Sequence, residues 1–230
     1  MPSTLSAIIS KLRGVKLAST LPPCSYVNPY LQNCSGSFRE IRVVIDNEDV
    51  SPYLGEAGLI KEPIRDAEKE IVLAIGINYG QGNYCSWPPV TPLDWMDDTE
   101  MRPKIDSLSK CYSRRGAIGK FPTPGNYHLI ATNIFPFITN LSWSGQELNG
   151  IEEAKLLQDY WHWATDLLDT LLPALSPEFL IFHGANNAVP LFGVSYISKK
   201  YLSKSPRAEV ILCDNLARPG TTIHNCEIIS

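Results

Sequence analysis

The sequence predicts a three-layer α/β/α fold with a mostly parallel central sheet. Short, continuous apolar runs recur along the chain, and such runs are typical of strands that are covered on both faces. The clearest runs are residues 71–77 (IVLAIGI), 128–135 (HLIATNIF), 179–182 (FLIF) and 209–213 (EVILC). A helical pattern separates two of them, and strands that alternate with helices favour a parallel sheet with helices on both faces.

The first 40 residues are interpreted as an extension made of a helix and a loop. Within residues 3–17, apolar side chains have helical spacing at Leu5, Ile8, Ile9, Leu12 and Val15. The segment is too short and too polar to span a bilayer, so we expect this helix to pack on the domain. Residues 22–37 are rich in Pro, Asn, Ser and Cys and predict a loop. A short strand is predicted at residues 41–45, and a charged helix around residues 59–69.

A longer helix is predicted over residues 152–172, between two of the apolar runs. Its apolar side chains recur at steps of three and four: Ala154, Leu157, Trp161, Ala164, Leu168 and Leu171. Asn149 is the expected N-cap, and Pro173 and Pro177 are expected to end the helix. Trp161 and Trp163 are therefore interpreted as core side chains in preference to base-stacking ones.

Length and composition favour one globular domain over residues 1–230. The chain has 44% hydrophobic and 19% charged residues, which is ordinary for a protein with a single large core. Its six cysteines form no CxxC pair, and the N-terminus does not resemble a secretory signal. We expect an intracellular monomer without membrane association.

Gly and Asn are frequent directly after the apolar runs. The segments that follow or overlap the run ends are GINYGQGNY, TNIFPF, HGANNA and CDNLARPG, and they contain Asn78, Asn133, Asn186 and Asn215. In a parallel sheet, ligands bind beyond the carboxyl ends of the strands. A carboxamide carries both donors and an acceptor, which suits a site that reads the edge of a planar base or holds a water. For any one of these Asn residues, a local role in a turn is the alternative.

The order and spacing of these segments resemble the uracil-DNA-glycosylase superfamily over residues 70–225. GINYG is similar to the first family motif, which in the mismatch-specific and single-strand-selective branches reads Gly, any residue, Asn, Pro, Gly. The resemblance implies that Asn78 positions the attacking water and that Asn133 hydrogen-bonds the flipped pyrimidine. The sequence departs from the motif at Tyr79, where the family usually has Pro.

The last family motif, commonly His-Pro-Ser, corresponds in position to CDNLARPG. There Asn215 takes the place of the His, as Asn does in the mismatch-specific branch, while Leu216 and Ala217 replace Pro and Ser. Asp214 is the one carboxylate at this strand end that could serve as a charged helper, and a structural role is the equal alternative. His183 stands at another strand end, beside Gly184, as a further candidate for base binding.

Further contacts with the base and the DNA are assigned around these motifs. Tyr84 is favoured over Trp87 as the side chain that stacks on the base, and Tyr79 is a further candidate for base binding. Gly80 leaves open the space next to pyrimidine C5, which the strictest uracil branch fills with Tyr, so thymine or a 5-substituted cytosine could enter. The candidates for phosphate contacts are basic side chains at Arg114, Arg115, Lys120 and Arg218. A solvated surface is the alternative for such basic clusters.

The resemblance implies a monofunctional DNA glycosylase that acts on double- or single-stranded DNA, in repair or in defence against foreign DNA. It would flip out uracil or a modified pyrimidine and leave an abasic site. The alternatives are a hydrolase of free nucleosides or nucleotides and a catalytically silent DNA-binding relative.

No cofactor or metal is expected. GQGNY lacks the features of a dinucleotide fingerprint. The acidic cluster Asp94, Asp97, Asp98 and Glu100 is interpreted as the start of a helix in preference to a cation site. The net charge of −4 does not indicate a protein that coats nucleic acid, although a local basic rim would suffice for one footprint.

Overall fold

The computed structural model describes residues 4–13, 43–45, 48–49, 67–76, 98–113, 120–134, 161–184, 208–216, 220 and 222–229. The helices in these residues are α1 (Leu5–Arg13), α2 (Asp98–Ser113) and α3 (Trp161–Leu175). The strands are β1 (Val43–Ile45), β2 (Glu48–Asp49), β3 (Glu70–Gly76), β4 (Tyr127–Asn133), β5 (Phe179–His183), β6 (Glu209–Cys213) and β7 (Cys226–Ile228).

The strands form one sheet in the order β2-β1-β4-β3-β5-β6-β7. The four central strands, β4, β3, β5 and β6, are parallel to one another. On the flanks, β1 pairs antiparallel with β4 and with β2, and β7 pairs antiparallel with β6. The prediction of an α/β fold with a mostly parallel sheet is confirmed.

The position of β3 between β4 and β5 makes the sheet doubly wound. The chain crosses from β3 to β4 on one side and then back over β3 to β5 on the other. Because such crossovers are right-handed, the helices α2 and α3, one in each connection, lie on opposite faces of the sheet. The strand order therefore reverses between β3 and β5, and the carboxyl ends of these two strands border the crevice where such sheets bind ligands.

Apolar side chains bury both faces of the central strands. On one face, Met101, Ile105 and Leu108 of α2 pack against alternate strand residues: Val72, Ala74, Leu129, Ala131, Phe179, Ile181, Ile211 and Cys213. The intervening strand residues on the other face are also buried, as at Leu73, Ile75, Ile130, Leu180 and Phe182. Helix α3 buries its leucines and contacts α1, so the N-terminal helix packs on the domain as expected.

One predicted helix boundary needs correction. The helix over residues 152–172 is described as α3, which continues through Pro173 to Leu175. Loss of one backbone bond at a proline costs about 3 kcal/mol, and the burial of Leu171, Leu172 and Leu175 offsets it. The next residue, Ser176, has a positive φ of 47° and donates its N–H to Leu172 O at 2.8 Å. Pro177 follows it, so the helix does not continue.

Sequence reasoning placed the start of a helix at the acidic cluster of residues 94–100 but did not predict the extent of α2, and it did not predict β7. Pro103 lies inside α2 and argues locally against a helix, but Met101, Ile105 and Leu108 are spaced for one buried face. Asp98 and Glu100 lie in its first turn. The expected helix around residues 59–69 lies largely outside the described residues, and residues 67–69 are not helical. Residues 149–160, including the expected N-cap, are also outside the described part.

The β6–β7 pair contains two buried thiols with a third beside them. Cys213 and Cys226 are partners in the register, and both are buried thiols that form no disulfide. Half-buried Cys111 donates its S–H to His224 O at 3.3 Å. Burial, followed by the nearby Cys226, Asp214 and Cys111, raises the pKa of the Cys213 thiol well above its ordinary value, so this thiol has little thiolate at neutral pH.

In native protein, we expect iodoacetamide at pH 8 to alkylate Cys111 at least about tenfold faster than Cys213 or Cys226, because the thiolate is the reactive form and needs access. Peptide mass spectrometry over a time course measures each site. In guanidinium the three rates should converge. Equal rates in the native protein would contradict the buried arrangement.

Candidate functional site

The carboxyl ends of the parallel strands meet at one edge of the sheet. Gly76 is in register with Asn133, and His183 is in register with Cys213. The last residues in register between β3 and β5 are Ile75 and Phe182, which sets the end of β3 beside the end of β5. The segments that begin after these strands therefore start at one edge, which is where a site was expected.

His183 is the central polar residue of this edge. Its side chain is only 6% exposed, and its Nε2 atom has no hydrogen-bond partner among the described residues. The imidazole has a side-chain hydrogen bond with Asn215, in the turn after β6. Burial lowers the pKa of His183 to about 4; the bond with Asn215 acts against this, and the charge of Lys104 acts with it. The ring is therefore neutral at pH 7.

The chain turns sharply directly after His183. Gly184 has a φ of 96°, in the region that favours glycine, and donates its N–H to Cys213 O at 2.9 Å. This bond fastens the end of β5 to the end of β6. It holds the backbone of His183 next to the turn that carries Asn215.

Lys104 is a candidate site residue that sequence reasoning missed. It lies on α2, is 9% exposed, and donates from Nζ to the backbone oxygen of Leu216 at 2.9 Å. The contact joins α2 to the turn after β6 across 112 residues of sequence. The available signal was a lysine at helical spacing within the apolar stripe of Met101, Ile105 and Leu108.

Asp214 has a structural role in the described residues. Its Oδ2 accepts the backbone N–H groups of His224 and Asn225, both at 2.8 Å, and its Oδ1 accepts the Asn225 side-chain amide at 3.1 Å. Partial burial raises the pKa of Asp214, but the hydrogen bonds from Asn225 and His224 outweigh it, so the pKa lies below its ordinary value. The carboxylate thus fastens the approach to β7 onto the end of β6.

Asp214→Ala is expected to lower the free energy of unfolding by about 2 kcal/mol, since it leaves three donors without their acceptor. Glu227→Ala is the matched control, because Glu227 is an exposed carboxylate on β7. Urea unfolding at pH 7 measures both. If the two variants lose the same small amount, Asp214 does not hold β7.

The other predicted site residues are placed as follows. Asn133 ends β4, and only its backbone position is described. Lys120 is exposed, three residues before Thr123, whose N–H bonds to the Glu70 carboxylate at the start of β3. It therefore lies toward the amino end of the sheet and is not brought together with His183. The predicted residues outside the described part of the chain are Asn78, Tyr79, Gly80, Tyr84, Arg114, Arg115 and Arg218.

Comparison with known proteins found no match to this chain among protein-family models, curated proteins or solved structures. No helix among the described residues is both long and apolar enough to cross a membrane. The same residues bring together no group of three or more His, Cys, Asp or Glu side chains that could hold a metal ion.

Proposed function

We propose that this protein is a monofunctional DNA glycosylase, which rotates a uracil or modified pyrimidine out of DNA and hydrolyses its N-glycosidic bond. The observation that carries the proposal is the buried His183, which ends β5 next to the point where the strand order of the sheet reverses and is hydrogen-bonded to the exposed Asn215 after β6. The sequence motifs around Asn78 and Asn133 support the same reaction. The proposal includes a fold of the uracil-DNA-glycosylase type.

The unpartnered Nε2 of His183 supports a ligand at this position. Leaving a buried polar atom unsatisfied costs about 1–3 kcal/mol, and such atoms are rare in folded proteins. Among the described residues nothing satisfies Nε2. A base edge that hydrogen-bonds to this atom would remove the cost. The atom therefore contributes to ligand binding and not to folding stability.

The bond with Asn215 assigns a polarity to the imidazole. Since Nε2 is the unpartnered nitrogen, we infer that Nδ1–H donates to the side-chain oxygen of Asn215, in keeping with a bond that raises the pKa of His183. In the neutral ring, Nε2 is then an acceptor. An acceptor at this place reads the imide N–H of uracil or thymine, or the exocyclic amino group of a cytosine.

The reaction needs a water and a stabilised leaving group. The C1′–N bond breaks, its electron pair leaves with the base, and the oxygen of the water bonds to C1′. A proton from the water ends on the released base. Asn78 would orient the water, but an amide cannot take its proton, so a slow chemical step is expected. Access to C1′ requires that the nucleotide leave the duplex.

Asn78→Ala is expected to slow the chemical step by about tenfold to a hundredfold while DNA binding is retained, because the change removes water orientation and no phosphate contact. Single-turnover kinetics with excess protein measure the step, and fluorescence anisotropy measures binding. Unchanged single-turnover rates would remove Asn78 from the mechanism.

A hydrolase of free nucleosides is the second candidate, because the net charge of −4 provides little general attraction for a phosphate backbone. The full-length protein is incubated with duplex and single-stranded DNAs that contain uracil, thymine mismatches or modified cytosines, and separately with the matching nucleosides. Mass spectrometry then identifies released bases. Release from DNA alone supports the glycosylase, release from nucleosides alone supports the second candidate, and no release from either overturns both.

A further inference from the structure

Lys104 is a charged side chain in an interior position next to the proposed site. Lysine is almost never fully buried unless its charge is paired or hydrogen-bonded, because removing an ammonium group from water costs several kcal/mol. Lys104 is 9% exposed, and the residue whose backbone oxygen it contacts, Leu216, is completely buried. Burying this charge costs free energy that an apolar side chain at the same position would not cost.

The contact places the ammonium group at the residue that follows Asn215. Leu216 directly follows Asn215, so the 2.9 Å bond from Lys104 Nζ fixes the turn that presents the Asn215 side chain to His183. The charge is close enough to act on the imidazole itself. Lys104 therefore affects His183 in two ways. It fixes the position of Asn215, and its positive charge acts on the imidazole.

We propose that Lys104 is a positioning residue of the glycosylase site, which holds the turn at residues 214–216 and provides the positive charge that stabilises the departing base as an anion. This inference rests on the proposed function. It extends that function because the positive charge that stabilises the leaving group comes from Lys104 on α2, outside the sequence motifs.

The chemistry of the leaving group supports this assignment. As the C1′–N bond breaks, its electron pair moves onto the base, which becomes negative before it receives a proton. The neutral His183 carries a lone pair on Nε2 and offers no positive charge to that anion. A fixed ammonium group in a buried site stabilises developing negative charge without reorganisation at the moment of reaction, and more strongly than it would in water.

The test compares two leaving groups in two variants. Lys104→Met removes the charge and keeps an unbranched apolar stem, and Lys110→Met is the control, since Lys110 is exposed on the same helix. Single-turnover release is measured from DNAs with uracil or with 5-fluorouracil, whose anion is stabilised by the fluorine. We expect Lys104→Met to slow release of uracil by about 100-fold, and of 5-fluorouracil by less than about tenfold. Lys110→Met should leave both rates unchanged.

A purely structural role for Lys104 predicts a different result. In that case Lys104→Met would reduce both rates by the same factor. This outcome, or no reduction at all, would overturn the inference. The activity of the wild-type protein would still support the proposed function. If the wild-type protein acts only on another pyrimidine, the same comparison is made with that base and its 5-fluoro analogue, and a wild-type protein that releases no base from any DNA overturns both. Thermal unfolding is measured first, and if Lys104→Met does not fold, Lys104→Arg is compared in the same way. Arginine keeps the charge but spreads it, so the expected loss is less than about tenfold and still larger for uracil; equal losses again overturn the inference.

Discussion

Replacing His183 by Leu is expected to reduce the single-turnover rate of base release by about 100-fold to 1000-fold, with the fold retained. The substitution removes the Nε2 acceptor, and with it the contact that we assign to the base edge. It also removes a buried polar atom that is unsatisfied among the described residues. The free energy of unfolding should therefore change little or rise. Residues that serve binding or catalysis often lower stability, so replacing them often raises it.

His128→Leu is the matched control for this substitution. His128 is also a buried histidine of the central sheet, 4% exposed, but it lies at the amino end of β4, away from the proposed site. The control should retain full activity. Base release is measured by mass spectrometry and stability by urea unfolding. If the two variants lose activity equally, His183 acts only through the sheet.

Stability is expected to decline in acid because His183 must stay neutral in the folded protein. Burial is the main reason that its folded pKa is about 4, against an ordinary value of 6.5. Between these values the unfolded chain binds the proton and the folded protein does not. The contribution to stability is therefore complete above pH 6.5 and is lost as the pH falls through about 4. The total loss corresponds to about 3 kcal/mol.

Urea unfolding of wild type and His183→Leu across pH 7.5 to 3.5 measures this contribution. The wild-type protein should lose stability more steeply below pH 6.5 than the variant does. Asp214 also destabilises the protein in acid, because its lowered pKa gives stability that is lost as the pH falls through it. That effect is common to both proteins, so their difference isolates His183. Parallel curves would show that the imidazole is not held neutral by burial.

The sequence predicted the strands well because burial on both faces leaves a plain pattern. The apolar runs became β3, β4, β5 and β6 with small changes at their ends. It could not predict the strand order, since a buried parallel strand pairs equally well with a neighbour on either side. β7 has only three residues and one buried side chain, which is too short for a pattern.

Prediction of the site was limited for a similar reason. The positions of His183, Asp214 and Asn215 at strand ends follow from the runs that precede them. The pairing of His183 with Asn215, and the approach of Lys104 to Leu216, join elements that are far apart in sequence. Local patterns carry no information on such contacts. The structural use of Asp214 depends on His224 and Asn225, whose strand was not predicted.

The central place of β3 has a consequence for how the chain folds. Glu178, directly before β5, contacts Ile71 of β3 through its carboxylate and across 107 residues. Both partners of β3 lie later in the chain, so the middle of the sheet forms only after two long loop closures, and a topology of this kind folds slowly. Until then β3 exposes two unpaired edges made of apolar residues, and the partly folded chain is most prone to aggregate at that stage.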